Sequence, residues 1–312
     1  MHETTPYDKE YPDIQIGQII GSYTILEQLG RGTYGVVYKA KKDTQEVAIK
    51  FFRNTKLYRF CGKVEMQCLK KLNNTKNVVT FIEHFDTEEY FCIITEFLET
   101  SLLHTIYEKI SIDEFRVIAS QLLCSLHQMK QQEIIHCDIK IDNIMWRSYK
   151  RNKKECDAVF IDFSSSFFSH EKEQIKGEIQ SMFNRAPEIA SGEEGSFAID
   201  MWSLGCVLVE LLIKRPLFLC NNNKDLLYAI NELLNNDKEN LKKMLKEHPT
   251  FYDLISKMLE VDPLKRITPE DALKHNFFQY EETDCKYKAR PAKLTKKNRT
   301  MVLTNSKRLA FS

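Results

Sequence analysis

The chain has 312 residues, 43% of them hydrophobic and 29% charged, enough to bury a sizeable core as one large domain or two lobes. Its formal net charge of +1 excludes a whole-molecule field that would gather nucleic acid or acidic lipid. Nine scattered cysteines without paired zinc-site spacing point to a reducing compartment. The polar start and the shortness of the most apolar stretch, Leu204 to Ile213 with Glu210 inside it, argue against a secretory leader or a membrane span.

Residues 1–22 read as a polar N-terminal extension. Residues 23–98 are β-rich, with strands expected at Tyr23 to Leu29, Val36 to Ala40, Glu46 to Phe52, Thr80 to Phe85 and Phe91 to Glu96. Between the first two lies Gly30-Arg31-Gly32-Thr33-Tyr34-Gly35-Val36-Val37, a G-x-G-x-x-G-x-V pattern. A dinucleotide fold would continue as helix after the third glycine, whereas Val36-Val37-Tyr38 is β-branched and aromatic and continues as strand. A strand-turn-strand lid over phosphates is favoured, with glycines supplying close approach and positive φ. A plain glycine hairpin is the alternative.

Val47-Ala48-Ile49-Lys50 ends an alternating strand on a lysine placed to reach phosphates. A helix is expected over Lys63 to Leu72, where Val64, Cys68, Leu69 and Leu72 share one face, and its Glu65 is the acid that would keep Lys50 charged and aimed. Residues 99–280 are mainly helical, with helices expected at Ile112 to Met129, Ile199 to Ile213, Lys224 to Leu234 and Thr250 to Leu259. Thr268-Pro269-Glu270 reads as an N-cap followed by proline at the first helical position.

The chemistry concentrates in His136-Cys137-Asp138-Ile139-Lys140-Ile141-Asp142-Asn143 and in Asp162-Phe163-Ser164. Two carboxylates, an ammonium and an amide stand in the order that phosphoryl transfer needs. Asp138 is placed to accept or orient a hydroxyl proton, Lys140 to offset charge on a transferring phosphoryl group, and Asn143 and Asp162 to offer oxygens to Mg²⁺. Arg147 to Lys154 reads as a basic, solvated turn between two strands. Residues 286–312 carry nine Lys or Arg and no acid, which leaves residues 1–285 at −8, so 281–312 is a basic tail on an acidic body. A nuclear-import signal, a contact to an acidic partner, an arm folding back on the rest of the chain and a solubilising terminus all fit it.

Together with Ala186-Pro187-Glu188, Asp200 and Arg266, these motifs resemble the eukaryotic protein-kinase signature over roughly residues 20–280. The resemblance implies an α+β bilobal protein-kinase fold: an N-lobe over 23–98 with one main helix, and a C-lobe over 99–280. It implies ATP and Mg²⁺ as cofactors, with Asp138, Lys140 and Ser181 catalytic and Asn143 and Asp162 on the metal. Nucleotide contacts are implied from Gly30, Gly32, Gly35, Val37, Ala48, Lys50, Glu65, Met145 and the hinge from Glu96 to Leu98, with Thr95 a small gatekeeper. Glu188 would pair with Arg266, and Asp200 would brace the catalytic loop.

Ser181 lies where kinases of serine and threonine carry a bridging Ser or Thr. Asp162-Phe163-Ser164-Ser165-Ser166-Phe167-Phe168-Ser169-His170-Glu171 resembles the LAMMER (CLK) pattern, and Ile179-Gln180-Ser181 resembles DYRK kinases, within the CMGC group. Four residues depart from the general kinase or CMGC patterns, one of them Asn184, in place of the CMGC tyrosine before Arg185. Cys137 replaces an arginine, Ser164 replaces a glycine whose freedom lets the metal-binding Asp adopt its active orientation, and Glu178 occupies the position of the DYRK activating tyrosine. The expected activity is transfer of the γ-phosphoryl of ATP to protein hydroxyls, with dual specificity and nuclear or splicing-related substrates included. A pseudokinase scaffold is the alternative, and a nucleic-acid binder working through the tail is ranked last. A monomer in the nucleus or cytoplasm, without membrane attachment, is expected.

Overall fold

A computed structural model describes residues 10–108, 110–150, 155–174 and 179–279. Residues up to Phe278 form one compact unit and those from Gln279 a second, of which only Gln279 is described. The basic tail, Glu178 and residues 151–154 lie outside the described residues.

The first half builds an antiparallel sheet from β1 (Ile19–Ile20), β2 (Tyr23–Arg31), β3 (Gly35–Lys42), β4 (Gln45–Phe52), β5 (Phe81–Asp86) and β6 (Phe91–Glu96), in the order β1-β2-β3-β4-β6-β5. Period-two alternation decides which residues meet which face. Val47, Ile49 and Phe51 of β4 join Val36, Tyr38, Cys92 and Ile94 in a small core of their own, capped by Ile14 from the N-terminal extension. Ala48 and Lys50 are turned to the opposite face, and β6 does the same with Ile93 and Thr95.

Against that inner face lies α1 (Lys56–Lys71), which buries Gly62, Glu65, Cys68 and Leu69. It starts seven residues before the expected Lys63, because Thr55 accepts a hydrogen bond from the Tyr58 amide and caps it. Its first turns expose Leu57 and Phe60, so the apolar periodicity that reveals a helix in sequence fails there.

The second half contains α2 (Ile112–Gln131), α3 (Pro187–Ala190), α4 (Ala198–Ile213), α5 (Asn223–Met244), α6 (Pro249–Met258) and α7 (Pro269–Leu273). α2 opens on a capping box, in which Ser111 and Glu114 each accept the other's backbone amide. α7 opens on Thr268 with Pro269 at the first helical position, as its sequence predicts. α4 is buried nearly all round and forms the centre of the large core. α5 runs ten residues beyond the expected Leu234, past a polar stretch that hides the period, until Leu241 is buried again.

Short strands position the loops between the two halves. β7 (Thr100–Ser101), β9 (Ile144–Lys150) and β10 (Glu155–Phe160) form one ribbon, while β8 (Ile134–Ile135) pairs with β11 (Phe167–Phe168). The loop leaving β8 carries His136 to Asn143, and the loop entering β11 carries Asp162 to Ser166. The β8–β11 pairing therefore sets the two chemical segments side by side.

The basic cluster at Arg147 needs correction. Arg147 lies within β9 and is half-buried, its guanidinium bonded to Glu96 at 2.6 and 2.9 Å, to Asp157 at 3.2 Å and to the Val78 carbonyl at 2.8 Å. It is a brace between the sheet and the helical half, not a solvated turn residue. Asp157 is ten positions away, but Glu96 and Val78 are 51 and 69 away, so local spacing gives no sign of the brace to the sheet.

Candidate active site

A cleft of about 1070 Å³ separates the sheet from the helical half. Gly30, Gly32, Gly35, Val37 and Ala48 line it from above; Lys50, Glu65, Glu96, Leu98 and Met145 line its depth and hinge side; Lys140, Asn143, Asp162 and Ser181 line its floor. Thr95 lines it as well. Of the catalytic, nucleotide and metal residues nominated from sequence, Asp138 alone is not a lining residue. It sits beneath, bonded to three that are.

Ser181 donates to Asp138 Oδ1 at 2.7 Å, while Lys140 and Asn143 donate to Oδ2 at 2.8 and 3.0 Å. Lys140 also reaches Ser181 Oγ at 3.3 Å, so the serine bridges carboxylate and ammonium. Both carboxylate oxygens are therefore held by donors from two separate loops, which fixes the rotamer.

Behind this loop stands Asp200 of α4. The amides of His136 and Cys137 donate to its two oxygens at 2.7 and 3.0 Å. Cys137 has φ of 64°, a left-handed conformation costing about 1–2 kcal/mol for a residue with Cβ, and these charge-assisted bonds offset it. The Cys137 thiol is wholly buried, which raises its pKa well above the usual value, so it offers no nucleophile. The expected Glu188–Arg266 pair is present, at 2.7 and 2.9 Å.

Across the cleft, Lys50 Nζ lies 2.7 Å from Glu65 Oε2 and 2.6 Å from Asp162 Oδ1. Burial works against the ammonium, but the two carboxylates outweigh it and raise its pKa. Burial likewise opposes ionisation of Asp162, yet Lys50 and the Ser164 hydroxyl hold its carboxyl well below the usual range. Burial raises Glu65, because the lysine that would lower it is shared with Asp162.

One expectation needs correction. None of Gly30, Gly32 and Gly35 has positive φ. Gly35 is required for a different reason: a Cβ there would overlap the Phe51 carbonyl oxygen of the neighbouring strand. In this conformation the left-handed backbone belongs to Asp162, with φ of 60°, and Ser164 is not among the positive-φ positions. Ser164 bonds to both Asp162 and Lys50.

Sequence reasoning missed other contributors. Tyr34, at the tip of the glycine turn, shares a hydrogen bond of 2.8 Å with Ser165 and so ties the lid to the floor. Glu210 of α4 also lines the cleft, 7% exposed, and burial followed by the nearby charge of Asp142 pushes its carboxyl up to about 7. The available signal was an acid interrupting the most apolar stretch of the chain.

The donor set suits a small hard cation. Asn143 commits its Nδ2 to the Asp138 carbonyl at 2.9 Å and carboxylate at 3.0 Å, which leaves its amide oxygen as the acceptor. Among the described residues no group of three or more His, Cys, Asp and Glu forms a metal cage. A hard cation held by the oxygens of Asn143 and Asp162 would have to complete its shell with water or phosphate, as Mg²⁺ does.

Residues 23–278 match the protein kinase domain model. The human dual specificity tyrosine-phosphorylation-regulated kinase 4 is 31% identical over 94% of this chain and 65% of its own length. The serine/threonine-protein kinase ppk5 of Schizosaccharomyces pombe is 32% identical over 86% of the chain and 37% of its length. The serine/threonine-protein kinase prpf4B of Dictyostelium discoideum is 28% identical over 86% and 43%. The chain thus spans less than two thirds of the length of each of these relatives.

Proposed function

This chain belongs to the protein kinase domain family, within the CMGC group near the DYRK kinases, and from that premise we propose that it transfers the γ-phosphoryl of ATP to serine and threonine hydroxyls of proteins. The observation that carries this reading is the arrangement at Asp138, whose two oxygens are held by Ser181, Lys140 and Asn143 on the floor of a cleft roofed by the glycine turn.

In this reading the adenine lies between Val37 and Ala48 above and Met145 below, against the hinge from Glu96 to Leu98. Lys50, held by Glu65, meets the phosphates. The carboxylate of Asp138 takes the proton of the attacking hydroxyl, and Lys140 offsets charge on the transferring group. Asn143 and Asp162 would hold Mg²⁺ by their oxygens. What the ion supplies when bound is neutralisation of phosphate charge. Rate comes mainly from positioning and fixed electrostatics. The domain limits of 23–98 and 99–280, a dual specificity, a LAMMER-like substrate range among nuclear or splicing-related proteins, nuclear entry aided by the basic tail and a monomeric state belong to the same proposal.

The test is transfer of radiolabelled γ-phosphate to a basic protein and to an Arg/Ser-rich peptide. Asp138→Asn lowers transfer by roughly 10²–10⁴-fold while a fluorescent ATP analogue still binds. Equal transfer by both proteins, or none by the native chain, rejects the enzyme and leaves a nucleotide-binding scaffold.

A further inference from the structure

Three consecutive serines follow Phe163, and each ties the segment to a different element. Ser164 accepts a hydrogen bond from Lys50 of β4 at 3.0 Å. Ser165 meets Tyr34 of the glycine turn at 2.8 Å. Ser166 donates to the His136 carbonyl, at the head of the catalytic loop, at 3.2 Å. The metal-binding segment is thereby fastened to the strand, the lid and the floor together.

Ser164 does something that the glycine implied by the family pattern cannot do. Its side chain is buried, with the residue 4% exposed, and its hydroxyl donates to Asp162 Oδ1, the oxygen that Lys50 also binds at 2.6 Å. The Ser164 amide faces that oxygen too, at 3.4 Å. Asp162 needs such support, because its own backbone is left-handed. Glycine at 164 would remove the hydroxyl and free the adjoining backbone.

We propose that Ser164 is a positioning residue for phosphoryl transfer, holding the Asp162 carboxylate inward beside Lys50 before any metal or nucleotide arrives. The inference rests on the kinase reading above. Ser164 acts through Asp162 and touches no reacting atom. The chain has replaced a freely turning glycine with a hydroxyl clasp, so the inward orientation is built in rather than selected by ligand.

The experiment compares the full-length native chain with Ser164→Ala, Ser164→Gly and Ser164→Thr. One readout is amide hydrogen exchange over residues 160–168 in the unliganded protein, and the other is the Mg²⁺ concentration giving half-maximal phosphate transfer. Loss of one charge-assisted hydrogen bond predicts roughly tenfold faster local exchange and a roughly tenfold higher Mg²⁺ requirement in the Ala variant. Both effects are larger in the Gly variant, and Ser164→Thr, which keeps the hydroxyl, restores both. Exchange elsewhere stays unchanged, which separates a local role from general destabilisation. An active native chain whose Ala variant matches it in exchange and in Mg²⁺ requirement overturns the inference alone. A native chain that neither transfers phosphate nor binds ATP overturns the kinase reading on which it rests.

Discussion

Removing Glu188 tests how the helical half is held to the cleft. The Arg266 side chain is fully buried and that of Glu188 is 2% exposed. The guanidinium spends its N–H groups on Glu188 at 2.7 and 2.9 Å and on the carbonyls of Glu260, Ala198 and Val261 at 2.8, 2.8 and 3.3 Å. Its face lies 5.1 Å from the Trp202 ring centre. Arginine cannot shed its proton, so Glu188→Ala leaves a buried cation with only neutral partners. Breaking a buried pair from one side costs about 3–5 kcal/mol, against a total stability of about 5–15 kcal/mol. A loss of that size lowers the melting temperature by roughly 6–20 °C. Urea unfolding followed by tryptophan fluorescence measures it, Trp202 being beside the pair. Glu188→Met with Arg266→Met should cost clearly less than the sum of the single changes, because no charge is then stranded. Because Glu188 sits in α3, seven residues after the serine bonded to Asp138, the single variant also loses phosphate transfer at temperatures where it remains folded. A loss of stability below about 1 kcal/mol for Glu188→Ala would refute the reasoning.

Glu210→Gln tests the acid buried in the cleft wall. Its carboxyl titrates near 7 when folded against 4.5 as a free side chain, so the folded state binds the proton more tightly and loses stability as pH rises through that window. The variant should match the native protein at pH 4 and exceed it at pH 8 by up to about 3 kcal/mol, read as melting temperature against pH; no difference at pH 8 would count against the buried placement. Gly35→Ala drives a Cβ into the Phe51 carbonyl and should cost about 1–3 kcal/mol, whereas Gly30→Ala meets nothing within 4 Å and should leave the melting temperature unmoved. Equal thermal stability of the two variants would remove the steric explanation for Gly35.

The order and identity of the chemical groups were legible in the sequence, because each motif is local. A lysine near the end of an alternating strand, a loop with Asp138, Lys140 and Asn143 within six positions, and Asp162 before a strand need only short-range geometry to be recognised. Element types followed the apolar period wherever one face was buried. They failed where it was not, as at the exposed first turns of α1 and the polar middle of α5. The tertiary structure alone decided which distant groups share a charge. Lys50 divides itself between Glu65 and Asp162, Arg147 clamps Glu96, and Ser164 bonds to both Lys50 and Asp162. Those contacts join residues 15 to 114 positions apart, brought together by the pairing of β8 with β11 and by the packing of the sheet on the helical half. A chain encodes its periods and turns locally, but a buried charge takes its partner from whatever the completed fold lays beside it.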